Sequence, residues 1–260
     1  MPQHGANSGE AVDAVDAARS LLAGARAVAV LTGAGISTAA GIPDFRGPNG
    51  VWTKNPGAEK ASTIDHYLAD AGTRQCAWQR RVQLADLAPQ STVAHRSLLH
   101  LEQRAVLVGL ATQNIDGLHH AAGSDPSLVH EVHGSNRLSH CMSCRGEWPT
   151  SVFLDRVRAG EGDPPCADCG GIVKPAVVFF GETLPRAALE ASMAAAEACD
   201  VLLAAGTTLG VGPINAMVPR AKRFGASVVI LNDSPTEMDH HADLIVRGDI
   251  QEVLPQIVGG

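Results

Sequence analysis

The run Ala27-Val28-Ala29-Val30-Leu31, followed at once by Thr32-Gly33-Ala34-Gly35-Ile36-Ser37, decides the fold class. Five consecutive apolar residues without polar alternation predict a strand buried on both faces, the condition of a central strand in a parallel sheet. Gly33 and Gly35 directly after it let backbone N–H groups approach a diphosphate, and a helix beginning there offers the favourable end of its dipole. An ordinary strand-to-helix turn fits the same residues, because the third glycine of the fingerprint GxGxxG is missing. Upstream, Val12, Val15, Arg19 and Leu22 predict an amphipathic helix over residues 10–24, closing at Gly24. Downstream, short apolar runs recur at Val106 to Leu110, Val177 to Phe180, Val201 to Ala205 and Ser227 to Leu231, separated mostly by helix-period segments such as Pro185 to Cys199 and Pro213 to Phe224. Strands alternating with helices predict an α/β fold: a Rossmann-like doubly wound parallel sheet with both faces covered. Residues 47–92, turn-rich and then helical, and 134–176, rich in Cys, Gly and Pro, interrupt the alternation. They read as two insertions that form a smaller lobe beside a domain made of 1–46, 93–133 and 177–260, with a cleft between.

With 260 residues, 45% hydrophobic, the chain can bury one substantial core and a satellite. Its 20 Lys plus Arg against 27 Asp plus Glu give a formal net charge of −7 with no compensating basic block, which argues against nucleic acid or an anionic membrane as partner. The opening MPQHGANSGEAVDAVD lacks an export signal's basic-then-apolar pattern, and no apolar run approaches the roughly 20 residues that span a bilayer. A cytoplasmic protein is expected. Cys141 with Cys144, and Cys166 with Cys169, form two CxxC pairs separated by residues 145–165. In such a compartment that spacing points to one closed, four-thiolate structural zinc ribbon rather than disulfides, with a redox pair as the alternative. Cys76 and Cys199 read as small buried or half-buried hydrophobes.

The remaining chemistry-bearing motifs gather at predicted strand ends, where open parallel sheets bind ligands. Asp44-Phe45-Arg46 after Pro43 is either a solvated ion pair in a turn or a lid in which Phe45 excludes water and Arg46 meets phosphate. Gln113-Asn114-Ile115-Asp116 offers either helix caps or carboxamide and carboxylate groups for an amide-bearing ring and a ribose. His133, after the run Leu128 to Val132, carries the side chain best suited to proton transfer near neutral pH. Val177-Val178-Phe179-Phe180-Gly181-Glu182 can be core strand, or an extended segment that pairs with a substrate peptide. Gly206-Thr207-Thr208 and Asn232-Asp233-Ser234 complete four strand ends converging on one edge.

In this order, GAGIS, GIPDFRG, TQNIDGLH, EVHGS, the two CxxC pairs, KPAVVFFGE, GTTL and LNDSP resemble the bacterial-type sirtuin family of NAD-dependent protein deacylases, from about Val28 to the C-terminus. The resemblance implies a Rossmann-like NAD-binding domain and a zinc-ribbon lobe, with NAD, a consumed cosubstrate, and an acylated-lysine protein or peptide meeting in the cleft. It places Gly33, Ala34, Gly35, Asp44, Phe45 and Arg46 in the cofactor loop, and Gln113, Asn114, Ile115 and Asp116 around the nicotinamide and its ribose. Gly206, Thr207 and Thr208 fall at the diphosphate, and Asn232, Asp233, Ser234 and Ile250 on the adenosine side. His133 is implied as general base, with Asn114 and Asp116 beside it in catalysis, and Val177 to Glu182 as the peptide-binding segment. The implied products are free lysine, nicotinamide and O-acyl-ADP-ribose. Ala40, Lys174, Ala176 and Thr207-Thr208 stand where the family more often has serine, arginine, an acid and Thr-Ser. Ala77 stands where succinyl-removing members have tyrosine, with Arg80 at their basic position, which implies a preference for neutral acyl groups. Mono-ADP-ribosyl transfer from the same NAD is the alternative activity, and a zinc-ribbon interaction module or NAD-sensing binder the non-enzymatic one.

Overall fold

Residues Val28–Thr32 (β1) have no solvent exposure, and strands pair with them on both sides. The computed structural model describes residues 8–44, 50–54 and 62–259. In chain order the other strands are Leu107–Thr112 (β2), Val129–Glu131 (β3), Gly134–Cys141 (β4), Glu147–Pro149 (β5), Val173–Val177 (β6), Val201–Ala205 (β7), Ser227–Leu231 (β8) and Leu244–Val246 (β9). Six of them form a parallel sheet in the order β3-β2-β1-β7-β8-β9. Because strand side chains alternate, Val28 and Val30 enter one core and Ala29 and Leu31 the other. The first core is closed by the helices Ser8–Gly24, Val93–Ser97 and Ile250–Val258 through Leu22, Ala94, Leu254 and Ile257. The second is closed by Arg186–Ala198 and Met217–Arg223 through Ala195, Ala196, Met217 and Val218. This is the doubly wound sheet that the alternation of segments predicts.

The runs Val201–Ala205 and Ser227–Leu231 are β7 and β8, and the first helix begins at Ser8 rather than residue 10. Val177 to Phe180 is not a strand of the parallel sheet. Val177 ends β6 and pairs with Gly134 in a separate antiparallel sheet of order β5-β4-β6, and Val178 N–H donates to His133 O at 2.8 Å. Phe180 N–H turns instead to Ser62 O, at 2.9 Å. The segment's backbone groups are thus spent on both insertions, leaving no ladder to a parallel neighbour. Cys199 is buried as expected, whereas Cys76 is exposed: in the helix Ala71–Asp86 it is Trp78, two positions on, that enters the core, so Cys76 faces away. No helix among the described residues is long and apolar enough to cross a membrane.

Side chains from the two insertions share one small core. Trp78 from the first packs against Phe153 and Val173 from the second, and against Cys141 and Cys166. Tyr67 donates to Val173 O at 2.8 Å, and Arg74 pairs with Asp163 at 2.7 Å. The four Sγ atoms of Cys141, Cys144, Cys166 and Cys169 lie within 4.8 Å of one another, with Cys141–Cys169 at 3.5 Å and Cys144–Cys166 at 3.7 Å. Disulfide sulfurs would be about 2.05 Å apart. Thiolates sharing one tetrahedral zinc at bonds of about 2.3 Å sit roughly 3.7 Å apart, and the cluster fits that geometry.

Gly134 opens the small sheet immediately after His133. Its φ is +76°, and a Cβ there would lie 2.0 Å from Ala176 O. Gly134→Ala therefore carries a left-handed penalty of roughly 1–2 kcal/mol plus a backbone collision, and should lower Tm by at least about 2 °C; an unchanged melting curve contradicts this packing. Metal analysis should find one zinc per chain, and Cys144→Ala should melt the small lobe while the parallel sheet survives, seen as protease cleavage confined to 134–176. A zinc-free or fully stable Cys144→Ala protein counts against the ribbon.

Candidate active site

Direction in the parallel sheet brings the motifs after β1, β2, β3, β7 and β8 to one edge, because each follows the carboxyl end of its strand. From β1 the chain winds toward β2 and β3 on one side and later returns through β7, β8 and β9 on the other. The loops after β1 and β7 diverge at that reversal and touch through backbone. Gly35 N–H donates to Gly206 O at 2.9 Å, and a Cβ on Gly35 would stand 2.8 Å from Gly206 Cα, so only glycine permits the approach. Ile250, at the start of the last helix, closes on the same loop: its Cδ1 would be 3.0 Å from a Cβ at Gly206.

After β2, Gln113 N–H donates to Thr32 O at 3.0 Å and its Nε2 to Thr207 Oγ1 at 2.8 Å, tying three strand ends together. Asn114 Nδ2 donates to Gly33 O and to Ser37 Oγ, both at 3.0 Å. Ser37 Oγ donates to Asp116 Oδ2 at 2.7 Å, while Asp116 Oδ1 accepts the Leu118 amide at 2.9 Å. Asp116 thus accepts from the first amide of the helix Leu118–Ala122 and joins a polar network with Ser37 and Asn114. Burial raises its carboxyl pKa, against the hydrogen bonds from Leu118 and Ser37.

His133 follows β3, and its Nδ1 lies 2.9 Å from Gln113 O. A carbonyl only accepts, so Nδ1 carries the proton and Nε2 is left with its lone pair. Burial pulls the imidazole's pKa below its usual 6.5, opposed by that hydrogen bond. Behind the network lie two further imidazoles, His95, which the sequence does not mark, and His119, the last residue of the TQNIDGLH run. His95 reaches Ser37 Oγ at 3.4 Å and is pushed down to about 4 by burial, and His119 meets Thr32 Oγ1 at 2.9 Å. The run Val93-Ala94-His95 carries no local signal; only its helix cap, Thr92, is a recognisable one.

Gly33, Ala34, Gly35, Asp44, Gln113 to Asp116, His133, Val177 to Glu182, Gly206 to Thr208, Asn232 to Ser234 and Ile250 all line a single cleft of about 1740 Å³. A drug-sized ligand needs roughly 300–1,000 Å³, so this cleft has room for a dinucleotide and a peptide side chain together. Among the described residues, buried Asp44 Oδ1 has no partner, an acceptor that a ribose or amide group can satisfy. Phe45 and Arg46 lie outside the described residues. On the far side, Arg247 donates to Asn232 O at 3.0 Å and pairs with Asp239, fixing the turn after β8. Ala77 joins an apolar cluster with Tyr67, Val177, Phe179 and Ile115. Arg80 lines the cleft, but the more enclosed cation is Arg81, which donates to Ala77 O at 3.0 Å and lies against the Trp78 and Phe179 rings. None of the four zinc-site cysteines borders the cleft.

Residues 33–213 match the model of the Sir2 family. NAD-dependent protein deacetylase 2 of Streptomyces coelicolor is 43% identical over 90% of this chain and 97% of its own length. NAD-dependent protein deacetylase 1 of Pyrobaculum aerophilum is 40% identical over 95% and 94% respectively. Among solved structures, a Sir2 enzyme superposes with a TM-score of 0.87 at 35% identity, covering 95% of this chain and 97% of that one. A Sir2 protein with p53 peptide and NAD+ gives 0.81 at 30%, over 92% and 95%. The motifs, the sheet order, the four-sulfur cluster and these matches agree: the chain belongs to the Sir2 family.

Proposed function

We propose that this chain is an NAD-dependent protein-lysine deacylase that converts NAD and an acylated lysine into nicotinamide, O-acyl-ADP-ribose and free lysine, and acts in the cytoplasm, where unpaired cysteines are the norm. The observation that carries the reading is His133, enclosed in the cleft with Nδ1 anchored on Gln113 O and Nε2 free to take a proton. NAD, when bound, supplies the electrophilic ribose carbon. Gly33 and Gly35 with Gly206 shape the diphosphate cradle, Gln113, Asn114 and Asp116 hold the nicotinamide end, and Asn232 to Ser234 with Ile250 hold the adenosine. Val178 and the residues around it present the edge along which an extended peptide lies. Mono-ADP-ribosyl transfer would have no use for a base placed to resolve an acylated ribose, and the relatives are named deacetylases.

The experiment is mass spectrometry of NAD turnover with peptides that differ only in the acyl group on one lysine. Nicotinamide release should require the acylated peptide and yield O-acyl-ADP-ribose; release without acyl-lysine, with label on protein, would overturn the assignment in favour of ADP-ribosyl transfer.

His133→Ala should keep its fold and NAD binding but lose about 10²- to 10⁴-fold in turnover, and a loss of only a few-fold removes His133 as the base. Since the neutral imidazole is the active form and burial lowers its pKa, wild-type kcat/KM should hold through neutral pH and fall only below 6.5. A limb centred above that value contradicts the environment described. Because the wall at Ala77 is apolar, acetyl and somewhat longer neutral acyl groups should be turned over faster than succinyl. Ala77→Tyr should shift the ratio toward succinyl, the phenol adding a hydrogen bond to a charged group of about 1.5–3 kcal/mol; a wild-type preference for succinyl-lysine in kcat/KM would reverse this reading of the pocket.

A further inference from the structure

Lys174 is a lysine with 1% exposure, an unusual place for an ammonium group. Its Nζ has three protons, and three oxygens converge on it: Glu182 Oε2 at 2.9 Å, Val177 O at 2.5 Å and Pro175 O at 3.2 Å. The charge is thereby paired and every donor used, the condition under which a buried cation is tolerated. The face of the Phe179 ring lies 4.5 Å from the same nitrogen. Glu182 in turn accepts the Phe179 amide at 2.8 Å with the oxygen that Lys174 holds. One ammonium and one carboxylate therefore close the turn from Val177 to Glu182 on itself. One backbone bond reinforces them, Glu182 N–H to Phe179 O at 3.0 Å, and the others lead outward, from Val178 N–H to His133 O, from Phe180 N–H to Ser62 O and from Ile64 N–H to Phe180 O.

We propose that the buried Lys174–Glu182 pair is a positioning device that sets the shape of the Val177–Gly181 segment, so that it governs capture of the acyl-lysine peptide and leaves NAD binding untouched. This rests on the deacylase reading, in which that segment meets the peptide. It also gives Glu182 a different task from the peptide contact that the sequence suggests, since its carboxylate is committed inward. The ammonium suits the place better than a guanidinium: three carbonyl and carboxylate oxygens converging on a point match a compact charge with three donors, whereas a planar fork spreads its protons. Among the described residues, the loops after β1, β7 and β8 assigned to NAD make none of the pair's contacts, which is why the effect is confined to one substrate.

Two measurements on the full-length, zinc-loaded protein test this. Hydrogen exchange followed by mass spectrometry on wild type, Lys174→Met and Lys174→Arg should show the amides of 177–182 losing protection in Lys174→Met, with β1 and β7 unchanged, and largely regaining it in Lys174→Arg. In steady-state kinetics Lys174→Met should raise the KM for an acetyl-lysine peptide by about tenfold or more, leaving the KM for NAD within about twofold. Lys174→Arg should recover most of that loss, and Glu182→Gln, which keeps an acceptor for Phe179, should fall between. Unchanged exchange at 177–182 in Lys174→Met overturns the proposal, as does a parallel rise in both KM values. If Lys174→Met fails to fold, Glu182→Gln with wild-type exchange at 177–182 and wild-type peptide KM overturns it equally. The exchange experiment needs no turnover, so a wild type inactive on acyl-lysine refutes the deacylase reading while the exchange pattern still decides whether the pair shapes the segment.

Discussion

The contact between two backbones, at Gly35 and Gly206, is the constraint on which the rest of the site depends. A parallel sheet reverses its winding between β1 and β7, and the two loops leaving those strands must part to make a crevice. Here they part only after touching, with the Gly35 amide on the Gly206 carbonyl. That touch fixes the height of both loops against the sheet. Gln113 then spans from β1 to Thr207, and Asn114 from Gly33 to Ser37, so the third strand end takes its position from the first two. His133 takes its own from Gln113. Each polar group is held by a neighbour already held, which is how a site formed by loops acquires the rigidity of the sheet beneath it.

In the proposed function the same chain of supports separates the two substrates: the residues assigned to NAD stand on loops of the large sheet, whereas the segment assigned to the peptide follows β6 and is fastened to both insertions through Tyr67, Ser62 and Lys174. Zinc closes the far end of the same small sheet, next to Cys141, the last residue of β4. Loss of the metal would therefore reach the segment proposed to meet the peptide through β4 and β6, while none of the four cysteines borders the cleft that holds His133.

Much of this is legible in the sequence, for reasons that differ by residue. β7 and β8 are visible because strands buried on both faces are continuous apolar runs, and the cysteines because ligand spacing is local. Val177 to Phe180 misleads for the same reason: an apolar run shows burial but not its direction, and Val177 is buried against Gly134 rather than in the parallel sheet. β9 has three residues, too few for any periodicity, and is held by the Asp243 carboxylate accepting the Val228 amide as much as by its own side chains. Cys76 is exposed because helical phase places Trp78 inward, and one cysteine reveals nothing about phase. His95 and Lys174 join the site through contacts with Ser37 and Glu182 that only the folded chain creates.

The pairing of β1 also bears on how the molecule comes into being. Val28 is bonded to β2 at Leu107 and to β7 at Val201, so the most central strand is synthesised early and completed late. At about 5–20 residues per second, one edge of β1 stays open for on the order of ten to thirty seconds while the intervening segments emerge. The first helix, Ser8–Gly24, packs on Ile250–Val258 and β9, which emerge later still. Those are non-local contacts of the kind that slow folding and leave apolar strand edges open to other chains. The small lobe escapes this delay in part, since β4, β5 and β6 are near neighbours in the chain. During synthesis the small antiparallel sheet can thus be finished first, and the parallel sheet closes with it already in place.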